Sequence, residues 1–167
     1  MQKYKFGLEQ FNQETLSKLH FISNDNIRFL DSHYQLDSFN PMTREYYLYT
    51  GRGPSKGSFH LGHVPSLKII KQFQDYLSEI NPNQDKIYFM ISDDEKIFRD
   101  DISDDEMYHN TINTLTQLRH FGFDKNNTKF KINSLGIESS EYKIMIQMMK
   151  FINTNTIDKI FGEQKNI

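Results

Sequence analysis

The sequence predicts an α/β fold, a parallel sheet flanked by helices, and three observations predict it. Short apolar and aromatic runs recur after residue 45, at Tyr46-Tyr47-Leu48-Tyr49-Thr50, Ile87-Tyr88-Phe89-Met90-Ile91 and Lys129-Phe130-Lys131-Ile132-Asn133. A longer segment with helical periodicity follows each of the three. Glycine-rich turns, prolines and N-capping residues separate them. Strand–helix alternation of this kind favours parallel pairing through right-handed crossovers, as in doubly wound sheets.

Residues 9–30 read as helical in patches, through Phe11, Leu16 and Leu19, then Ile27, Phe29 and Leu30. Asn24 or Asp25 is placed to cap the second patch. Asp31-Ser32-His33-Tyr34 leads into a further short helix through Phe39, and Asn40-Pro41 is a loop signal. Residues 1–44 are thus expected to form an N-terminal helical lead-in, and residues 45–167 one α/β domain.

The run at 46–50 reads as a buried strand, and Gly51-Arg52-Gly53-Pro54-Ser55-Lys56-Gly57-Ser58 as a loop. A helix is expected over 62–77, with Pro65 in its first turn, where a missing N–H costs little. Its inward stripe is Val64, Leu67, Ile70, Phe73 and Leu77, and Asn81-Pro82-Asn83 closes it. The second strand, 87–91, ends in Ser92-Asp93-Asp94-Glu95-Lys96, whose bland reading is a solvated polar turn. Ser103 and Glu106 form a capping box for a helix to about residue 121, stopped by Gly122. After the third strand, Ser139 or Ser140 caps a helix rich in Ile144, Met145, Met148, Met149 and Phe151, expected to bury against the sheet. A last segment, 156–161, stops at Gly162.

Composition narrows the class. Aromatic residues make up 14% of the chain, enough to build a core on Phe and Tyr, which disordered chains lack. The formal charge of −2 carries no signature of nucleic-acid binding by itself. With no cysteine, disulfide frameworks and thiolate zinc sites are excluded. The N-terminus has no apolar run of signal-peptide type, and no stretch approaches the ~20 apolar residues that span a bilayer. The expectation is a protein of the cytoplasm with no membrane partner.

The strongest chemical signal is the join between the first strand and its helix. A glycine-rich turn leaving a parallel strand brings backbone N–H groups toward a phosphate, and the following helix adds its positive end. Here the join also carries His60-Leu61-Gly62-His63, at the strand ends where open α/β sheets bind ligands. Imidazoles there can donate to phosphate oxygens as charge develops. The glycine leaves room for a flat base. A His-x-x-His pair also suits zinc, but without cysteine or an obvious third ligand the sequence argues against a metal.

These segments carry a resemblance. Tyr47-Leu48-Tyr49-Thr50-Gly51-Arg52-Gly53-Pro54-Ser55, then His60-Leu61-Gly62-His63, then Asp93-Asp94-Glu95-Lys96, resemble the eukaryotic and archaeal tryptophanyl-tRNA synthetases. The His60–His63 tetrapeptide is similar to the first signature of class I synthetases. Gln74-Asp75 and Lys159-Ile160-Phe161-Gly162 match in order and approximate spacing, so the similarity runs from about Tyr4 to Gly162.

The resemblance implies a partial Rossmann-like sheet and an ATP site made by Arg52, Gly53, His60, Gly62 and His63, with His60 and His63 catalytic. It implies Mg2+ arriving with ATP, and tryptophan and its tRNA as substrates. Tyr49 resembles the phenol that meets the indole N–H. Glu95 lies where a carboxylate faces the substrate ammonium, and Lys96 beside it meets the carboxylate or a phosphate. Met90 stands where the family is expected to have a glutamine assisting Tyr49; a thioether is a poor acceptor, which puts tryptophan specificity in question. A lysine-and-serine signature loop and an anticodon-binding domain, both implied by the family, are absent from these residues. The chain therefore reads as the N-terminal part of a catalytic domain, needing a complementing C-terminal half or acting as a homodimer. Two alternatives stand beside it: a non-catalytic module that keeps a nucleotide or amino-acid pocket, and a tyrosine-type synthetase fragment.

Overall fold

The computed structural model describes residues 9–82, 87–99, 102–123 and 125–153. The expected segment at 156–161 with Gly162, the Lys159-Ile160-Phe161-Gly162 match, Tyr4 and Asn83 lie outside the described residues.

The centre is a parallel three-stranded sheet in the order β3 (Leu48–Arg52), β4 (Ile87–Ile91), β5 (Thr128–Ile132). β4 is apolar at every position because it lies between two neighbours. Ile87, Phe89 and Ile91 are at most 1% exposed, packed with Leu67 of α3 (Val64–Ile80), Leu118 of α5 (Asp104–His120) and Phe123. Both crossover helices thus cover one face. Side chains alternate along strands, so the opposite face carries Tyr49 and Gly51 of β3, Tyr88 and Met90 of β4, and Lys129 and Lys131 of β5, set side by side by the register.

β3 starts and ends two residues later than the run suggests. Gly51 and Arg52, expected in the loop, stay in the ladder opposite Met90 and Ile91, which keeps their backbone groups paired. The buried strand expected there is also half-open: Tyr47 is 52% exposed and Tyr49 74%.

α3 begins at Val64, with His63 as its N-cap residue, and runs on to Ile80. Its buried positions are Leu67, Leu77 and, outside the expected stripe, Gln74, whose Nε2 donates to the Asn127 carbonyl at 2.6 Å and to Thr128 Oγ1 at 3.0 Å. Residues 93–96, whose bland reading is a turn, open α4 (Asp93–Arg99) instead. Asp93 is buried because its carboxylate accepts the Ser134 N–H at 2.9 Å and the Ser134 hydroxyl, tying α4 to the 3-10 turn Asn133–Leu135. Ser103 caps α5 by accepting the Glu106 N–H, but the expected box is not closed, the Glu106 carboxylate pairing with Lys56 instead. Gly122, at φ 92°, ends the helix in the left-handed region that favours glycine.

Before β3, the short helices α1 (Gln13–Ser17) and α2 (Asn24–Ile27) alternate with a two-stranded antiparallel sheet, β1 (Glu9–Gln10) on β2 (Ser32–His33). Ser23, and not Asn24 or Asp25, is the N-cap residue of α2. A 3-10 turn, Leu36–Ser38, stands where the further short helix is expected. This region packs on α3: Phe21 stacks on Tyr76 at 4.1 Å, and Asn26 Nδ2 donates to Gln72 Oε1 at 2.9 Å.

The last described helix departs most from expectation. α6 (Ser139–Met149) is capped by Glu138 in a box with Glu141, neither Ser139 nor Ser140 serving. Glu141 also pairs with Lys131 of the open face. None of its residues is buried: Ile144, Met145, Met148 and Met149 are 43–62% exposed.

Candidate active site

The site is built where β3 gives way to α3. Arg52, the last residue of β3, is half-buried, with its guanidinium 4.5 Å above the Phe59 ring. Its Nη2 donates to Ser55 Oγ at 3.0 Å and to His63 Nε2 at 2.9 Å. Its Nε is buried and has no partner among the described residues, so one N–H of the fork is unspent. Burial lowers the guanidinium from its ordinary value, which is still far too high for it to lose its charge at neutral pH.

His60 and His63 lie ring against ring, centroids 3.7 Å apart. The Gly62 N–H donates to His60 Nδ1 at 3.1 Å. A Cβ on Gly62 would come within 3.1 Å of that ring, so a side chain there would push the His60 ring aside. Nε2 of His63 takes the shorter contact with Arg52, so we place its lone pair there and the ring proton on Nδ1. Burial first, then the Arg52 charge, then His60, push the His63 pKa down. It is thereby held as a neutral acceptor.

The sheet's next strand reaches the same loop. A Cβ on Gly53 would lie 3.7 Å from the Lys96 stem and from the Ser92 carbonyl, so Lys96 rests against the glycine. Glu95, in the first turn of α4, is exposed. The structure therefore gathers Arg52, His60, Gly62 and His63 into one cluster, with Gly53 and Lys96 in contact beside it. Tyr49 and Met90 are placed differently: alternation along the strands puts them on the sheet face opposite Arg52. There the Met90 Cβ is 3.4 Å from where a Gly51 Cβ would stand.

Beside Gly62 a cleft of about 1030 Å3 opens between α2 and α3, lined among others by Arg28, Phe29, Leu61 and Lys68. Among the described residues no three His, Cys, Asp or Glu side chains are grouped to hold a metal ion. A half-buried guanidinium, two imidazoles and the N-terminus of a 17-residue helix suit a polyanion at a strand end.

Sequence reasoning passed over the residues that shape this loop. Phe59 is the platform under Arg52, and Asn113, Thr114 and Gln117 of α5 hold the loop backbone. The available signal was a polar pair four residues apart on a helix otherwise read only for its apolar stripe.

No family model matches the sequence. The chain is 26% identical over 170 residues to the cytoplasmic tryptophan–tRNA ligase of Homo sapiens, an alignment that takes in 95% of this chain and 35% of that one. It superimposes on a tryptophanyl-tRNA synthetase from Encephalitozoon cuniculi bound to tryptophan with a TM-score of 0.73 and 26% identity, over 96% of this chain and 45% of that one. The chain is related to the tryptophanyl-tRNA synthetases. The synthetase of Trypanosoma brucei shares the fold as well, with a TM-score of 0.77 at 21% identity. The chain thus spans about a third of the length of the curated tryptophan–tRNA ligases it matches. Those enzymes are named cytoplasmic, and among the described residues no helix is long and apolar enough to cross a membrane.

Proposed function

We propose that this chain carries the ATP- and amino-acid-binding part of a tryptophan–tRNA ligase. Residues 45–167 would form its nucleotide-binding domain, and residues 1–44 a lead-in packed against it. The observation that carries the reading is the Arg52–His63–His60 cluster at the β3–α3 junction. In this reading Arg52, Gly53, His60, Gly62 and His63 receive the phosphates and adenine of Mg2+-bound ATP. The Arg52 guanidinium charge and the α3 N-terminus attract negative charge. Tyr49 faces the indole N–H, Met90 packs beside it, Glu95 takes the ammonium, and Lys96 takes the carboxylate or a phosphate.

The reaction needs no covalent enzyme intermediate. The carboxylate of tryptophan attacks the α-phosphorus, pyrophosphate leaves, and the aminoacyl group then passes from the adenylate to the tRNA terminal ribose. What the side chains contribute is orientation and charge stabilisation. A cytoplasmic location, a tRNA partner, and either a homodimer or a complementing C-terminal polypeptide belong to the same proposal.

A second reading is a binding module without catalysis. The 74% exposure of Tyr49 favours it, since an indole there lacks a closed wall among the described residues.

ATP–pyrophosphate exchange with tryptophan separates the two. These 167 residues contain no lysine-and-serine signature loop, and losing even one electrostatic group at a transition state costs about 10²–10³-fold. The polypeptide alone should therefore bind ATP and exchange near background. A second polypeptide equivalent to the remaining length of the curated relatives should restore exchange. Binding with no exchange under either condition supports the module.

A further inference from the structure

The loop that bears the cluster takes its shape from a helix two elements further along the chain. Gln117 of α5 turns its side-chain amide onto the loop backbone. Its Nε2 donates to the Gly57 carbonyl at 3.1 Å, and its Oε1 accepts the Phe59 N–H at 2.5 Å. Asn113, one turn earlier on the same helix face, donates to the same carbonyl at 2.9 Å. Thr114, fully buried, accepts the Ser55 N–H at 3.3 Å. A carboxamide carries a donor and an acceptor on adjacent atoms, so one glutamine serves two loop residues at once.

What it holds is the turn and the platform. Gly57 sits at φ 86° with nothing within 4 Å of its Cβ position, so backbone conformation alone calls for glycine there. Two residues on, the Phe59 ring lies 4.5 Å beneath the Arg52 guanidinium and 5.6 Å from the His63 ring. A displacement of the Phe59 backbone would move the surface on which both groups rest.

We infer that Gln117 is a positioning residue for the nucleotide site, fixing Gly57 and Phe59 so that Arg52 and His63 are presented to a phosphate. The inference rests on the nucleotide reading of that site. Gln117 touches neither Arg52 nor His63 in this account; it acts through Phe59. A glutamine that only fastened α5 to the loop would affect stability and leave ligand affinity alone.

The test uses the full chain and its Gln117→Leu, Gln117→Glu and Asn113→Leu variants, with Mg-ATP affinity by calorimetry and amide hydrogen exchange at Phe59. Gln117→Leu removes both bonds. The Phe59 amide should exchange faster, and ATP affinity should fall about tenfold, the value of roughly one hydrogen bond. Gln117→Glu discriminates further, and is informative even if the leucine variant folds poorly. Its carboxylate still accepts from Phe59 but sets a negative oxygen against the Gly57 carbonyl. Its protonated form regains a donor. The deficit in ATP affinity relative to wild type should therefore be about tenfold near neutral pH and shrink only as pH falls through the ordinary glutamate range near about 4.3, where the carboxyl protonates. Asn113→Leu, which leaves one donor on Gly57, should lose less.

Faster Phe59 exchange with ATP affinity unchanged in the leucine and glutamate variants overturns the inference, as does a glutamate deficit that does not change with pH. Wild-type protein that binds no ATP, while Phe59 exchange still responds to Gln117→Leu, overturns the nucleotide reading and the positioning role with it.

Discussion

Arg52 Nη2 donates to His63 Nε2 at 2.9 Å, so the cation at the end of β3 and the N-cap residue of α3 act as one unit. Nδ1 of the same ring faces the His60 N–H at 3.3 Å. A neutral imidazole accepts at one nitrogen only, so the shorter Arg52 contact keeps the lone pair on Nε2, and protonating His63 would set N–H against N–H there.

A pH dependence follows from that arrangement. Burial, Arg52 and His60 depress the His63 pKa, so the unfolded chain, with an ordinary histidine near about 6.5, binds the proton that the folded chain refuses. The stability held by neutral His63 is present above that pH and lost as pH falls through the folded value. His63 should titrate by NMR below the ordinary histidine range. Arg52→Gln should move the midpoint upward. A midpoint unmoved or lowered in that variant would show that Arg52 does not act on the ring.

Asp93 makes a prediction about stability. It is 4% exposed and accepts from both the N–H and the hydroxyl of Ser134. Asp93→Ala removes bonds whose donor residue, Ser134, is exposed and can turn to water, so it should cost about 1 kcal/mol in chemical denaturation, the net value of such a bond. Asp93→Asn, which keeps an acceptor oxygen, should lose less. Equal losses would mean that the charge, and not the acceptor geometry, matters.

How far the sequence could be read depends on the distance over which each feature is decided. β4 was legible residue for residue, because a central parallel strand is apolar at all five positions and nothing else competes for Ile87–Ile91. The histidine cluster was legible because its members lie within four residues of each other. Gly51 and Arg52 were misread because a glycine-rich stretch has turn composition even where the ladder continues. Gln74 and Asp93 were missed as buried groups since their partners, Thr128 and Ser134, are 54 and 41 residues away. The β1–β2 pair was missed for the same reason, two residues being too few to show a period. α6 was expected to bury on its composition, but no element among those described covers its methionines.

Met90 tests the amino-acid side of the site. It shares a sheet face with Tyr49, two residues beyond Tyr88, the register partner of Tyr49. If the indole lies there, Met90→Gln supplies an acceptor and should strengthen tryptophan binding by about 1 kcal/mol. Combining it with Tyr49→Phe should abolish the gain if the two groups act on one N–H. Calorimetry that finds no change on Met90→Gln would remove Met90 from the ligand.

The most direct measurement is ATP binding by the wild-type chain and Gly62→Val, followed by calorimetry in the presence of Mg2+. A side chain at position 62 has to enter space where even a Cβ comes within 3.1 Å of the His60 ring, displacing it from the Gly62 N–H and from His63. Measurable affinity is expected in the wild type and a loss of about tenfold or more in the variant, corresponding to at least one charge-assisted contact. Equal affinities in the two proteins, or none in the wild type, would contradict a nucleotide site at the β3–α3 junction.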